Sequence, residues 1–206
     1  MTNLFPMFMK LAGKRCLVVG AGKVGEPKIG GLIDTGASVH VVAIAASGQV
    51  REWAGAGKIE LELRAFSAGD LDGKFLAVAA TASHSLNELI YREAQRRGVL
   101  CNVVDVPEYC DFYYPAVVRR GDLQIAISTA GRSPSLAQRI RQQLERQFGA
   151  EYAERVEIVT PLGDLAGPDG DHRDIPVAVR VIVGDGPSLR GVLEHDRRRC
   201  RRVVHS

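Results

Sequence analysis

The stretch Cys16–Lys28, CLVVGAGKVGEPK, constrains the fold more than any other part of the chain. A short apolar run ends in Gly20, Gly22 and Gly25 at the spacing G-x-G-x-x-G. An apolar run stopped by glycine reads as a buried strand, here over residues 15–20. A helix is expected from about Lys23 to Thr35, with Pro27 in its first turn, where a missing N–H is tolerated, and Gly36 as its C-cap. Gly20 permits the tight turn, Gly22 lets the backbone approach a pyrophosphate, and Gly25 lets helix and strand pack closely. The motif therefore predicts a dinucleotide site at the helix N-terminus. One part of the fingerprint is missing, the acid about 20 residues later that holds a ribose hydroxyl. The chain there reads SVHVVAIAAS. No Arg or Lys stands there to hold a 2′-phosphate, so NAD and NADP both stay open, with NAD the milder reading. Backbone groups near Ala43–Ala45 are the candidates to serve the ribose.

The same alternation continues. Val39–Ile44 reads as a second buried strand, Ser47–Ala56 as a helix and Lys58–Phe66 as a third strand. Residues 74–81 read as a fourth strand, Ser85–Arg97 as an amphipathic helix ending at Gly98, and residues 99–105 as a fifth strand. Strands alternating with helices imply an α/β fold, a Rossmann-type doubly wound parallel sheet. Asp105 falls at the carboxyl end of what reads as a central strand, where such sheets place ligands. A carboxylate there can exchange a proton with a substrate. It can equally cap the following loop.

The pattern changes after Asp105. Arg120-Gly121-Asp122 lies between two apolar runs and reads as a β-hairpin. A helix follows, with Ser133 as N-cap and Pro134 as first helical residue. Leu136, Ile140, Leu144 and Phe148 recur at helical spacing as one apolar stripe. A hairpin and one helix cannot bury two faces alone, and a second subunit is the simplest cover. The helix N-terminus with Ser128, Thr129 and Ser133, followed by arginines, reads either as an anion site or as a well-capped helix with a basic face. Three regions are expected: a dinucleotide-binding domain over 1–112, a dimerisation region over 113–150, and a segment over 151–206. That last segment is loop-like, with one strand-like run at 175–186.

Composition narrows the function classes. At 206 residues the chain can bury a proper core. No apolar run approaches the ~20 residues needed to cross a bilayer. The start, MTNLFPMFMKLAGKR, does not read as a signal peptide, and a cytoplasmic location is expected. The four cysteines include no C-x-x-C pair, so buried free thiols are expected. The five histidines are scattered, and no metal site is expected. The net charge is +3, and residues 185–206, with six arginines against Asp185, Glu194 and Asp196, carry all of it. Nothing global indicates nucleic acid or membrane. The alternative from another class is a dinucleotide-sensing regulatory module with this tail on nucleic acid or a membrane, which needs the glycine loop but not Asp105.

Four segments in order, PMFMKLAGKRCLVVGAGKVG, AATASHSLN, CNVVDVPEYCDFYYPAVVRRGDLQIAIST and GRSPSLAQRIR, point to one family. Together they resemble the precorrin-2 dehydrogenase/sirohydrochlorin ferrochelatase family, the N-terminal module of siroheme synthases, over about residues 4–155. The resemblance implies NAD-dependent oxidation of precorrin-2 to sirohydrochlorin, and in some members insertion of Fe2+. It implies a homodimer interlocked through the region matching 113–150. The aspartate of the family's NVVD motif, tied to catalysis, matches Asp105. Cofactor contacts match Gly22, Lys23, Val24, Ile44 and Ala45, with Thr81 lining the same side. The tetrapyrrole substrate carries many carboxylates, and Arg119, Arg120, Arg132 and Arg139, with Thr129 and Ser133 at the helix start, are the candidate anchors. Thr129 also matches a serine that is phosphorylated in some siroheme synthases. Gly25 stands where the family often has alanine and Pro27 where it often has arginine. Residues after about 157 depart from the family's helical continuation.

Overall fold

In this computed structural model the described residues are 4–153. The strand-like run at 175–186 and the basic tail lie outside them. The chain divides into two compact units, the first running to Tyr114 and the second beginning at Pro115.

The first unit is a five-stranded parallel sheet. Its strands are β1 (Arg15–Ala21), β2 (Ser38–Ala46), β3 (Glu60–Leu63), β4 (Leu76–Ala79) and β5 (Leu100–Val103), in the order β3-β2-β1-β4-β5. The order reverses between β1 and β4, which is the switch point where doubly wound sheets bind ligands. Alternate residues of β1 feed two cores, as the pleat requires. Cys16 and Val18 pack with Ile29 and Leu32 of α1 (Glu26–Ile33) and Val50 of α2 (Gly48–Gly55). Leu17 and Val19 pack on the other face with Ile90 and Ala94 of α3 (His84–Arg96). The sheet is therefore wound on both faces, as its apolar runs predict.

Several boundaries differ from expectation. Helix α1 starts at Glu26, not Lys23. Pro27 has no N–H to give, and the ladder restarts with the Lys28 amide on the Gly25 carbonyl at 3.0 Å. Residues 22–25 are left as a turn. Strand β3 spans four residues only, because the next residue, Arg64, turns away to pair with Asp70. Strand β5 is the outermost strand of its sheet, not a central one. It also ends at Val103, two residues before Asp105. Its outer edge is covered by the returning chain, where Cys110 bridges to Asn102 and the Asp111 carboxylate accepts the Cys101 N–H at 2.8 Å. Such cover removes an exposed edge.

The second unit is an antiparallel pair, β6 (Ala116–Arg120) and β7 (Leu123–Ile127), with α4 (Pro134–Gln147). Its core is Val118, Ile127, Ala137 and Leu144, with Ile140 and Phe148 packed against it. Leu136 is 46% exposed. The inner stripe of α4 thus begins at Ala137, one residue later than the expected one.

Candidate active site

Three glycines shape the carboxyl end of the sheet. Gly20 has φ 103°, and a Cβ there would lie 2.3 Å from the Ala80 carbonyl oxygen. Only glycine allows β1 and the chain leaving β4 this close. A Cβ on Gly25 would lie 2.1 Å from the Gly20 carbonyl oxygen, so α1 begins in contact with β1. A Cβ on Gly22 would meet nothing within 4 Å. Among the described residues, the amides of Gly22, Lys23 and Val24 have no backbone acceptor. Open approach, unpaired N–H groups and a helix N-terminus directly behind them fit the pyrophosphate of a dinucleotide.

The end of β2 adjoins this loop, with Ala46 paired to Ala21. Ile44 is 88% exposed there, and Ala45 is exposed beside it. The strand end is not as uncharged as its own residues suggest. Ser47 donates through its hydroxyl to Glu26 Oε2 at 2.6 Å. Arg51 donates from Nε to the Ala46 carbonyl at 3.3 Å. Glu26 comes from α1 and Arg51 from α2, so neither is visible in the run SVHVVAIAAS.

Thr81 follows β4 and is held by α3. Its hydroxyl donates to Asn87 Oδ1 at 2.7 Å and accepts the Ser83 N–H at 3.2 Å. Asn87 is buried and returns a bond to the Thr81 carbonyl at 3.1 Å. This knot fixes the chain that faces Gly20.

Asp105 lies just past β5 with φ 63°, in the left-handed region that non-glycine residues seldom adopt. The Val106 N–H on the Val103 carbonyl, at 3.2 Å, closes a turn around it. Its side chain is exposed. A strained, accessible carboxylate held by a turn is a feature of functional sites. Lys28, which the motif reading passed over, supplies a cation near it. Burial holds the Lys28 ammonium below its ordinary pKa, and the charge of Asp105 works against that. The same ammonium lies 3.9 Å from the centroid of the Tyr114 ring.

In the second unit, Arg119, Arg132 and Arg139 are exposed. Arg120 is not: its guanidinium donates to the carbonyls of Arg119, Glu145 and Phe148 at 2.7, 3.2 and 2.7 Å. Arg120 therefore closes the C-terminal end of α4 and leaves the set of anion anchors. Ser133 caps α4, accepting the Leu136 N–H at 3.4 Å. Thr129 accepts the Ser133 N–H through Oγ1 at 3.2 Å.

His40, Glu60 and Glu62 also bring ligand atoms within 4.8 Å of one another at the β2–β3 edge. The Lys74 ammonium is 3.1 Å from His40 Nδ1, and Glu62 is 2.7 Å from Nε2. Both ring nitrogens already have partners, one of them a cation, so these residues form a hydrogen-bond network.

Residues 7–116 match the family described as "Putative NAD(P)-binding". Residues 120–147 match "Sirohaem biosynthesis protein central". The chain belongs to the "Putative NAD(P)-binding" family. A siroheme synthase of Nitrosococcus oceani is 40% identical over 162 residues, covering 74% of this chain and 35% of that one. A siroheme synthase of Pseudomonas fluorescens (strain SBW25) is 42% identical over 202 residues, covering 93% of this chain and 44% of that one. The chain thus spans less than half the length of these curated relatives. The second match also runs past residue 157, where the sequence reading ended the family pattern. Among solved structures, SirC, a precorrin-2 dehydrogenase, superposes with a TM-score of 0.70 at 25% identity, covering 94% of this chain and 88% of that one. The siroheme family read from the four ordered segments, and the doubly wound fold read from the alternation of strands and helices, are borne out. Among the described residues, no helix is long and apolar enough to cross a membrane.

Proposed function

We propose that this chain oxidises precorrin-2 to sirohydrochlorin with NAD, as a homodimer in the cytoplasm. The observation that carries the proposal is Asp105, an exposed carboxylate with φ 63° beyond the sheet's carboxyl end. The likeness to SirC over 88% of that chain supports the substrate class. Free thiols at Cys16, Cys101 and Cys110 suit a reducing compartment.

The amides of Gly22, Lys23 and Val24 would hold the pyrophosphate, with Gly20 and Gly25 keeping the loop tight against the sheet. Ile44 and Ala45 would lie along the adenosine, and Thr81 on the nicotinamide side. Bound NAD+ supplies the hydride acceptor. The substrate gives up a hydride and a proton, and Asp105 takes the proton and passes it to solvent. Lys28 gives that carboxylate a cationic neighbour. Arg119, Arg132 and Arg139 are the proposed anchors for substrate carboxylates, with Thr129 and Ser133 at the start of α4. Nothing among the described residues favours Fe2+ insertion as a second activity.

The test is anaerobic NADH formation with precorrin-2 generated in situ, comparing wild type with Asp105→Asn. Asparagine tolerates the left-handed conformation, so the backbone is kept. We expect wild type to form NADH and sirohydrochlorin, and the variant to be slower by at least about 100-fold with NADH affinity unchanged. A variant at the wild-type rate overturns the role of Asp105. A wild type that binds NADH but forms no sirohydrochlorin overturns the reaction.

A further inference from the structure

We infer that Glu26 selects NAD over its 2′-phosphorylated form, in place of the acid that β2 lacks. This rests on the dinucleotide reading above and names the residue that decides between the two cofactors.

In this fold the adenosine ribose lies between the glycine loop and the end of the second strand, where a carboxylate ordinarily accepts the 2′-hydroxyl. Residues 44–47 offer none. Glu26 stands directly after the third glycine and reaches the same place from the other side. Its Oε2 accepts the Ser47 hydroxyl at 2.6 Å. Ser47 also accepts the Val50 N–H at 3.3 Å, which caps α2 and turns its own hydrogen toward Glu26. The Ser47 N–H is bound to the Ala21 carbonyl at 2.9 Å, which ties the strand end to the glycine loop. The carboxylate is therefore fixed at the strand end by a serine that is itself fixed twice. A free carboxylate oxygen there accepts a hydroxyl and repels a phosphate dianion.

Arg51 is the counterweight. It reaches the Ala46 carbonyl from α2 at 3.3 Å and is exposed. With Ser47 it would welcome a 2′-phosphate if Glu26 were neutral. Selectivity then depends on one carboxylate, and losing it should bring NADPH in through Arg51.

The experiment is calorimetric titration of the full chain with NADH and with NADPH. The proteins are wild type, Glu26→Gln, Glu26→Asp and the double variant Glu26→Gln with Arg51→Met, each checked for folding by its melting temperature. Wild type should favour NADH by about tenfold or more, the equivalent of one close charge interaction. Glu26→Gln should bring the ratio near unity, mainly through tighter NADPH binding. Glu26→Asp should keep the preference, and the double variant should lose the gain in NADPH. A Glu26→Gln protein that is folded, binds NADH and keeps the wild-type ratio overturns the role of Glu26 alone. A wild type that binds neither nucleotide overturns the dinucleotide reading with it.

Discussion

Gly25 and Gly20 touch through their backbones: a Cβ on Gly25 would stand 2.1 Å from the Gly20 carbonyl oxygen. The first turn of α1 sits too close to β1 to admit an alanine at this position unshifted. In the loop between the two glycines, the Gly22, Lys23 and Val24 amides have no backbone acceptor among the described residues, and Gly22 faces open space. Tight packing behind and open approach in front are two sides of one geometry.

Gly25→Ala and Gly22→Ala should therefore separate fold from binding. Gly25→Ala forces α1 away from β1 and should cost about 1–3 kcal/mol, as overpacking does. Gly22→Ala has room for its methyl group and should leave the melting temperature within a few degrees or raise it slightly. It should still weaken NADH binding, because the methyl group stands where the pyrophosphate approaches. Thermal unfolding and nucleotide titration of both variants check this. Equal effects on both readouts would contradict it.

Asp70 gives the fold an acid-sensitive element. Arg64 grips both its oxygens, at 2.9 and 2.6 Å, and the Ser67 N–H donates to it at 2.8 Å. The Arg64 guanidinium, chiefly, holds its carboxyl below the ordinary 3.8. A lowered carboxyl stabilises above the unfolded value, and that stability is lost as pH falls through the native value. Asp70→Asn should therefore melt below wild type at neutral pH. The gap should close at low pH, once the native carboxyl is protonated. A melting difference that stays constant from neutral to strongly acid pH would contradict this.

Arg120 should matter for folding, not for anion binding. Its guanidinium binds the Glu145 and Phe148 carbonyls at the end of α4. Arg120→Met should destabilise by about 1–3 kcal/mol in urea unfolding, since charged hydrogen bonds are lost and carbonyls exposed. Arg120→Lys should recover little, because a single ammonium cannot span both carbonyls. Arg119→Met, at an exposed position, should leave unfolding unchanged.

The sequence by itself determined the features that are local in the chain. The apolar runs set where the strands lie, the spacing of Gly20, Gly22 and Gly25 set the loop, and Ser133 with Pro134 set the start of α4. Each depends on residues within a turn or two of one another, so short-range sterics and hydrogen bonding suffice. The tertiary structure alone decided that β5 lies at the sheet edge, that Asp105 turns into the left-handed region past it, and that Lys28 comes near that carboxylate. It alone brought Glu26 to Ser47, 21 residues away, and Arg120 to Phe148, 28 residues away. These pairings follow from how the sheet winds and how helices settle on it. No local preference encodes a contact whose partners meet only after the core between them has packed.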